Sequence, residues 1–172
     1  MHQLLLLRHA KSSRDDPQLA DRDRPLSPRG HRDAAAMRTA MRDLGLAPDL
    51  VLVSPSRRTM ETLEGLEPWD DAPLIEPVEA LYLAALAQLL AVLHEVTETV
   101  RSVLLIAHNP GMHELALALV GSAPVAAERS LRTKFPTAAL AEFTVSGLWS
   151  DTGRRTTSLV RFVTPAELRG DR

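Results

Sequence analysis

Two histidines stand just past short apolar runs. Arg8-His9 follows Leu4-Leu5-Leu6-Leu7, and His108 follows Val103-Leu104-Leu105-Ile106-Ala107. A third apolar run, Leu50-Val51-Leu52-Val53, leads into Ser54-Pro55-Ser56-Arg57-Arg58. These residue types suit phosphate chemistry. A guanidinium grips phosphate oxygens with two parallel N–H groups and keeps its charge at any workable pH. A neutral imidazole can attack phosphorus and carry the phosphoryl group covalently. A second imidazole, protonated, steadies the oxygens in transfer. A helix starting at Asn109-Pro110-Gly111 adds positive potential beside them. No step here calls for a metal, because the cationic side chains can neutralise the charge.

Such residues act together only if the fold gathers them. In an open α/β sheet, groups beyond the carboxyl ends of parallel strands meet in one crevice. The chain carries that pattern, with apolar runs alternating with helical segments. Ser27-Pro28 reads as a cap followed by proline at the first helical position, and Met37, Met41 and Leu44 then recur at helical spacing up to Gly45. A helix begins near Ser56, Leu74-Ile75 is a short strand, and Leu86 to Val96 is a helix. Asn109-Pro110 caps another helix reaching about Val120. Alternation over residues 139–145 predicts a half-buried strand, and Leu159 to Val163 another. With no helix between them, these two are expected to pair antiparallel. The expected fold is α/β, a three-layer α/β/α sandwich around a mixed, mostly parallel sheet. The stretch from Ser13 to Pro25 is too long for a turn, and long loops in compact domains are usually functional or mobile.

Composition bounds the function. The chain has 172 residues, 45% of them hydrophobic, enough for one domain over residues 1–172 with a sizeable core. Its net charge of -2 gives no reason to expect nucleic acid or an acidic membrane surface as partner. No apolar run approaches bilayer length and no signal-peptide pattern is visible, so the expectation is a cytoplasmic protein. With no cysteine, thiolate nucleophiles, thiolate metal sites and disulfides are excluded. Asp21-Arg22-Asp23 resembles the paired aspartates of haloacid-type phosphatases but follows no apolar strand. His113-Glu114 lacks the second histidine of a zincin helix. There is no glycine-flanked serine elbow and no P-loop.

Five segments, in order, resemble the histidine phosphatase (phosphoglycerate-mutase-like) superfamily. They are Leu7-Arg8-His9-Ala10-Lys11-Ser12, Arg24-Pro25-Leu26-Ser27-Pro28-Arg29-Gly30, Ser54-Pro55-Ser56-Arg57-Arg58-Thr59-Met60-Glu61-Thr62, Ala107-His108-Asn109-Pro110 and Phe135-Pro136-Thr137-Ala138-Ala139. Leu81-Tyr82 before a leucine-rich helix fits as well. The short SixA-type phosphohistidine phosphatases are the branch most similar. The resemblance implies a phosphoglycerate mutase-like fold and a metal-independent, cofactor-free phosphatase. His9 would accept the phosphoryl group, with Arg8, Arg58 and His108 holding its oxygens. Arg58 fits the second family arginine better than Arg57, counting four residues on from Ser54.

The implied substrate is phosphohistidine on a partner protein, with inorganic phosphate as product. The alternatives are a small phosphate ester cleaved by the same site, or a pocket that only binds phosphate. Larger family members supply a glutamate as general acid, and Glu79 is the candidate here, with Asp15 a weaker one. A phosphohistidine has a nitrogen leaving group whose ring can already be protonated, so it demands less of an acid. The expected pH optimum is neutral to mildly acidic, with His9 unprotonated and His108 charged. His2, His31, His94 and His113 read as surface or helix-face residues, Met37 and Met41 as core, and Arg57, Lys11 and the charges of residues 14–24 as solvated.

Overall fold

The computed structural model describes residues 1–171. Six strands form one sheet: β1 (His2–Arg8), β2 (Leu50–Val53), β3 (Leu74–Pro77), β4 (Ser102–Ala107), β5 (Leu140–Val145) and β6 (Thr157–Val163). They lie in the order β3-β2-β4-β1-β5-β6. β1 to β4 run parallel, whereas β5 pairs antiparallel with β1 and β6 antiparallel with β5. The mixed sheet and the antiparallel terminal pair are those expected from sequence.

Among the described residues, six α-helices complete the fold: α1 (Pro28–Asp43), α2 (Arg57–Gly65), α3 (Leu86–His94), α4 (Gly111–Ala118), α5 (Val125–Thr133) and the single turn α6 (Pro165–Leu168). The four leucines of β1 are all buried because both faces of the sheet are covered. Leu4 and Leu6 share one core with Leu89, Leu93, Met112, Leu115 and Leu131 of α3, α4 and α5. Leu5 and Leu7 share the other with Met37, Met41 and Leu63 of α1 and α2. Each face is thus sealed by a helical layer, and truncating one such leucine to alanine costs about 2–5 kcal/mol.

The starts of the helices hold the loops that matter. Ser27 Oγ accepts from the Gly30 N–H at 3.1 Å, so the expected cap forms. A Cβ at Gly30 would come within 2.1 Å of the Lys11 carbonyl oxygen, so only glycine lets α1 press against the segment following Arg8-His9. Gly111 plays the same part at α4, where a Cβ would meet the Ala84 carbonyl oxygen at 2.0 Å. α4 begins at Gly111, beyond the proline expected to open it, yet Asn109 still caps it, Oδ1 accepting from the His113 N–H at 3.2 Å. α5 and α6 were not anticipated. α5 buries only Leu131, so its sequence shows too thin an apolar stripe to read as a packed helix.

Candidate active site

Sheet register assembles the site. Arg8 pairs with Ala107, and Val53 with Ile106, so the chain leaves β1, β4 and β2 side by side at one end of the sheet. The next residues are His9, His108 and Ser54. The His9 and His108 rings lie 5.3 Å apart, tilted by 57°. Both are buried, with 7% and 2% exposure.

His9 Nδ1 lies 2.7 Å from the Ala10 carbonyl oxygen. A carbonyl only accepts, so Nδ1 carries the hydrogen and Nε2 keeps a free lone pair. Burial, above all, pushes the His9 pKa down to about 3, with His108, Arg58 and Arg8 adding to the effect and the Ala10 hydrogen bond opposing it. The ring is therefore neutral at any physiological pH, with a nucleophilic nitrogen.

His108 Nε2 meets Ser54 Oγ at 2.8 Å, and its buried Nδ1 has no partner. Burial first, then Arg58 and Arg8, lower the His108 pKa to about 4, with Asp21 opposing. The free protein thus holds His108 neutral, unlike the charged ring expected from sequence. The reason is a dry site already crowded with guanidinium charge. An arriving oxyanion supplies the missing negative charge and favours the protonated ring.

The two arginines are fixed from behind. Arg8 Nη1 donates to the Phe135 carbonyl at 3.0 Å, while its buried Nε has no partner. The same carbonyl accepts from Asn109 Nδ2 at 3.0 Å. Ala138, in the left-handed region at φ 60, turns its N–H onto the Arg8 and His9 carbonyls at 3.1 Å each. Arg58 is 4% exposed, and Arg57 at the preceding position points outward to Glu61 at 3.0 Å. Thr62 Oγ1 accepts from the Ala10 N–H at 2.9 Å and donates to the Arg58 carbonyl at 2.7 Å, tying α2 to the β1 exit. Buried donors without acceptors are costly. Arg8 Nε is such a donor, and His108 Nδ1 is likewise buried and unpartnered beside the His9 ring; a bound anion, with His108 protonated, would satisfy both.

The rim is built from residues 13–25 and 78–82. Arg58 Nη1 and Nη2 donate to the Asp21 carbonyl (2.8 Å) and carboxylate (3.0 Å). Tyr82 donates its hydroxyl to the same carboxylate oxygen at 2.5 Å, and its ring stands edge-on to His108 at 5.5 Å. Glu79 lies outside this layer, exposed and paired with both terminal nitrogens of Arg22. Arg22 holds the Glu79 carboxyl below its usual range, which makes it a poor proton donor. Asp15 is exposed. Asp21, Tyr82, Ser54 and Thr62 carry functional contacts that the sequence reading did not assign. Asp21 sits three residues before Arg24-Pro25-Leu26-Ser27, and that proximity was the one available signal.

Of the four other histidines, His2 stacks on Trp149 at 4.7 Å, His94 bonds the Thr152 carbonyl at 2.9 Å and His113 the Leu131 carbonyl at 2.7 Å, while His31 is exposed, 3.9 Å from Glu61. Among the described residues, no three His, Asp or Glu side chains gather to hold a metal ion, and no helix is long and apolar enough to cross a membrane.

Residues 4–79 match the family model of the histidine phosphatase superfamily (branch 1). An uncharacterised protein of Mycobacterium tuberculosis is 37% identical over 164 residues, spanning 92% of this chain and 99% of that one. An uncharacterised chloroplastic protein of Arabidopsis thaliana is 34% identical over 129 residues, 69% of this chain and 59% of that one. Among solved structures, a proposed phosphohistidine phosphatase SixA from Nakamurella multipartitia superposes with a TM-score of 0.83 at 27% identity, covering 95% and 96% of the two chains. Its counterpart from Agrobacterium tumefaciens gives 0.81 at 29% identity, covering 95% and 98%. The protein histidine phosphatase SixA in complex with tungstate gives 0.78 at 25% identity, covering 96% and 99%.

Proposed function

The chain belongs to the histidine phosphatase superfamily, in its SixA-type branch, and on that premise we propose that it hydrolyses phosphohistidine on a partner protein through a covalent intermediate on His9. The observation that carries this reading is the His9 tautomer. Its Nδ1–H is spent on the Ala10 carbonyl, which leaves Nε2 free among Arg8, Arg58 and His108. In the first half-reaction His9 Nε2 bonds to phosphorus as the substrate's bond breaks. Arg8, Arg58 and a now-protonated His108 hold the three spectator oxygens. In the second, water attacks phosphorus, and inorganic phosphate leaves a neutral His9. Tungstate, an oxyanion like phosphate, occupies the protein histidine phosphatase SixA in its complex, which supports an oxyanion-binding role for this related site.

The proposal treats residues 1–172 as one catalytic domain without metal or cofactor, in a cytoplasmic setting. It is tested by side-by-side turnover of a phosphohistidine protein, a phosphoserine peptide and sugar phosphates, with and without chelator. The expected result is preference for phosphohistidine, undiminished by chelator. Preference for a sugar phosphate would favour the small-molecule esterase. Phosphate-competitive binding with no turnover of any substrate would leave only a binding module.

A further inference from the structure

The rim carboxylate at Asp21 is unlike the other charges of its loop. It lies in the 3-10 turn Asp21–Asp23, on a side chain 47% exposed, yet it reaches the buried Arg58. Its Oδ2 accepts from Arg58 Nη2 and the Tyr82 hydroxyl, and its Oδ1 from Arg24 Nη1 at 3.1 Å. A carboxylate offers about four acceptor positions. Three are filled, so one remains on Oδ1, on a group half open to solvent. Arg58 and Tyr82, which fix this carboxylate, also neighbour the two histidines: Arg58 lowers both their pKa values and the Tyr82 ring is 5.5 Å from His108.

A substrate enters from the open side, and its leaving group must depart roughly in line, away from His9. Asp21 puts a fixed negative charge close enough to His108 to oppose the lowering of its pKa, and such a charge beside the reacting group repels a departing alkoxide. It attracts a leaving group that arrives with a positive charge and an N–H.

We propose that Asp21 is the leaving-group specificity residue of this site, its carboxylate accepting the distal ring N–H of a phosphohistidine so that P–N bonds are cleaved in preference to P–O bonds. This deepens, and rests on, the phosphohistidine reading above. As His9 Nε2 bonds to phosphorus, the P–N electron pair returns to the substrate ring. That ring loses its positive charge and leaves as neutral imidazole, with the N–H it already carried, so no proton is donated. An alkoxide would need one. Asp21 has none to give, because Tyr82 first, then Arg58 and Arg24, hold its pKa at about 2. Water then cleaves the P–N bond to His9, yielding dihydrogen phosphate.

The test compares wild type with Asp21→Asn, which keeps the side chain's shape and an acceptor for Arg58. The probes are a phosphohistidine peptide, a phosphoserine peptide and p-nitrophenyl phosphate, whose leaving group needs neither partner nor proton. With Asp21→Asn, kcat/KM for phosphohistidine should fall about 10–100-fold, the scale of one lost charge-assisted hydrogen bond. Loss on p-nitrophenyl phosphate should be at least about tenfold smaller than the loss on phosphohistidine, and inorganic phosphate should inhibit at least as well as before. Equal losses on both substrates with weakened phosphate inhibition would make Asp21 a mere prop for Arg58 and overturn the proposal, as would no loss on either. The wild-type arm tests the underlying reading separately. If it prefers phosphohistidine while Asp21→Asn retains that preference, only the present proposal fails. If it turns over p-nitrophenyl phosphate and ignores phosphohistidine, both fail.

Discussion

The floor of the site and its rim hold comparable numbers of charged and polar groups, but they are held in different ways. On the floor, His9, His108 and Ser54 are buried at the ends of parallel strands and locked to backbone or to one another, while the guanidinium of Arg58, buried at the start of α2, is held by the rim through Asp21. At the rim, Arg22 and Glu79 are tied by a side-chain ion pair in contact with water, and Asp21 reaches the buried Arg58 from a half-exposed side chain. Exposed pairs of that sort are worth about 0–1 kcal/mol, whereas stranding a buried polar group costs about 1–3 kcal/mol. The floor is therefore rigid and sets the protonation states. The rim is adjustable, suited to choosing what enters and leaves.

That contrast can be broken most decisively at His9. His9→Ala should lower turnover by at least about 10⁴-fold, because the covalent route has no second nucleophile. Acid-quench mass analysis should find a phosphate adduct on wild type and none on this variant; an adduct that persists would move the nucleophile elsewhere. Arg58→Ala should cost about 10²–10³-fold in kcat, the usual loss for a buried group stabilising transition-state charge. A loss confined to KM would reduce Arg58 to a ground-state binder.

The pH dependence sharpens the same difference. Both floor imidazoles titrate below the ordinary value of 6.5, at about 3 and about 4. As pH falls below 6.5 the unfolded chain takes up protons that the folded chain refuses, so stability falls from there toward pH 3; above 6.5 these two groups contribute no slope. NMR titration should show both rings still neutral at pH 5, and added phosphate should raise the His108 value. Two rings titrating near 6.5 would mean a wet floor. The neutral-to-acidic activity optimum expected from sequence then cannot come from the free histidines. Its acid limb should lie well below pH 6.5 in kcat/KM, apart from protonation of the substrate itself.

Smaller effects remain. Ser54→Ala leaves His108 Nε2 without its partner and should cost about 3–10-fold in kcat, the scale of one hydrogen bond. Glu79→Gln breaks only an exposed pair and should change kcat/KM by less than about threefold. A larger loss, with a displaced pH profile, would restore Glu79 as the proton donor.

Much of the floor was legible in the chain. Leu4 to Leu7 and Val103 to Ile106 could only be strands buried on both faces, and whatever follows such strands in a parallel sheet faces one crevice. Asp21 and Tyr82 were not legible, because they lie 61 residues apart and meet only when the loop folds over Arg58. α5 and α6 escaped because one buried leucine and one buried proline leave no periodic stripe to read.

The amino-acid order by itself determined the sheet, its two covering layers and the groups that follow the strands, with Arg58 one helical turn further on. Hydrophobic periodicity is local, and a strand-end residue is carried wherever its strand goes. Only the tertiary structure decided that both histidines are neutral, which nitrogen of His9 is free, and which carboxylate meets Arg58 and Tyr82 at the rim. Those properties depend on excluded water and through-space charge, and neither is written along the chain.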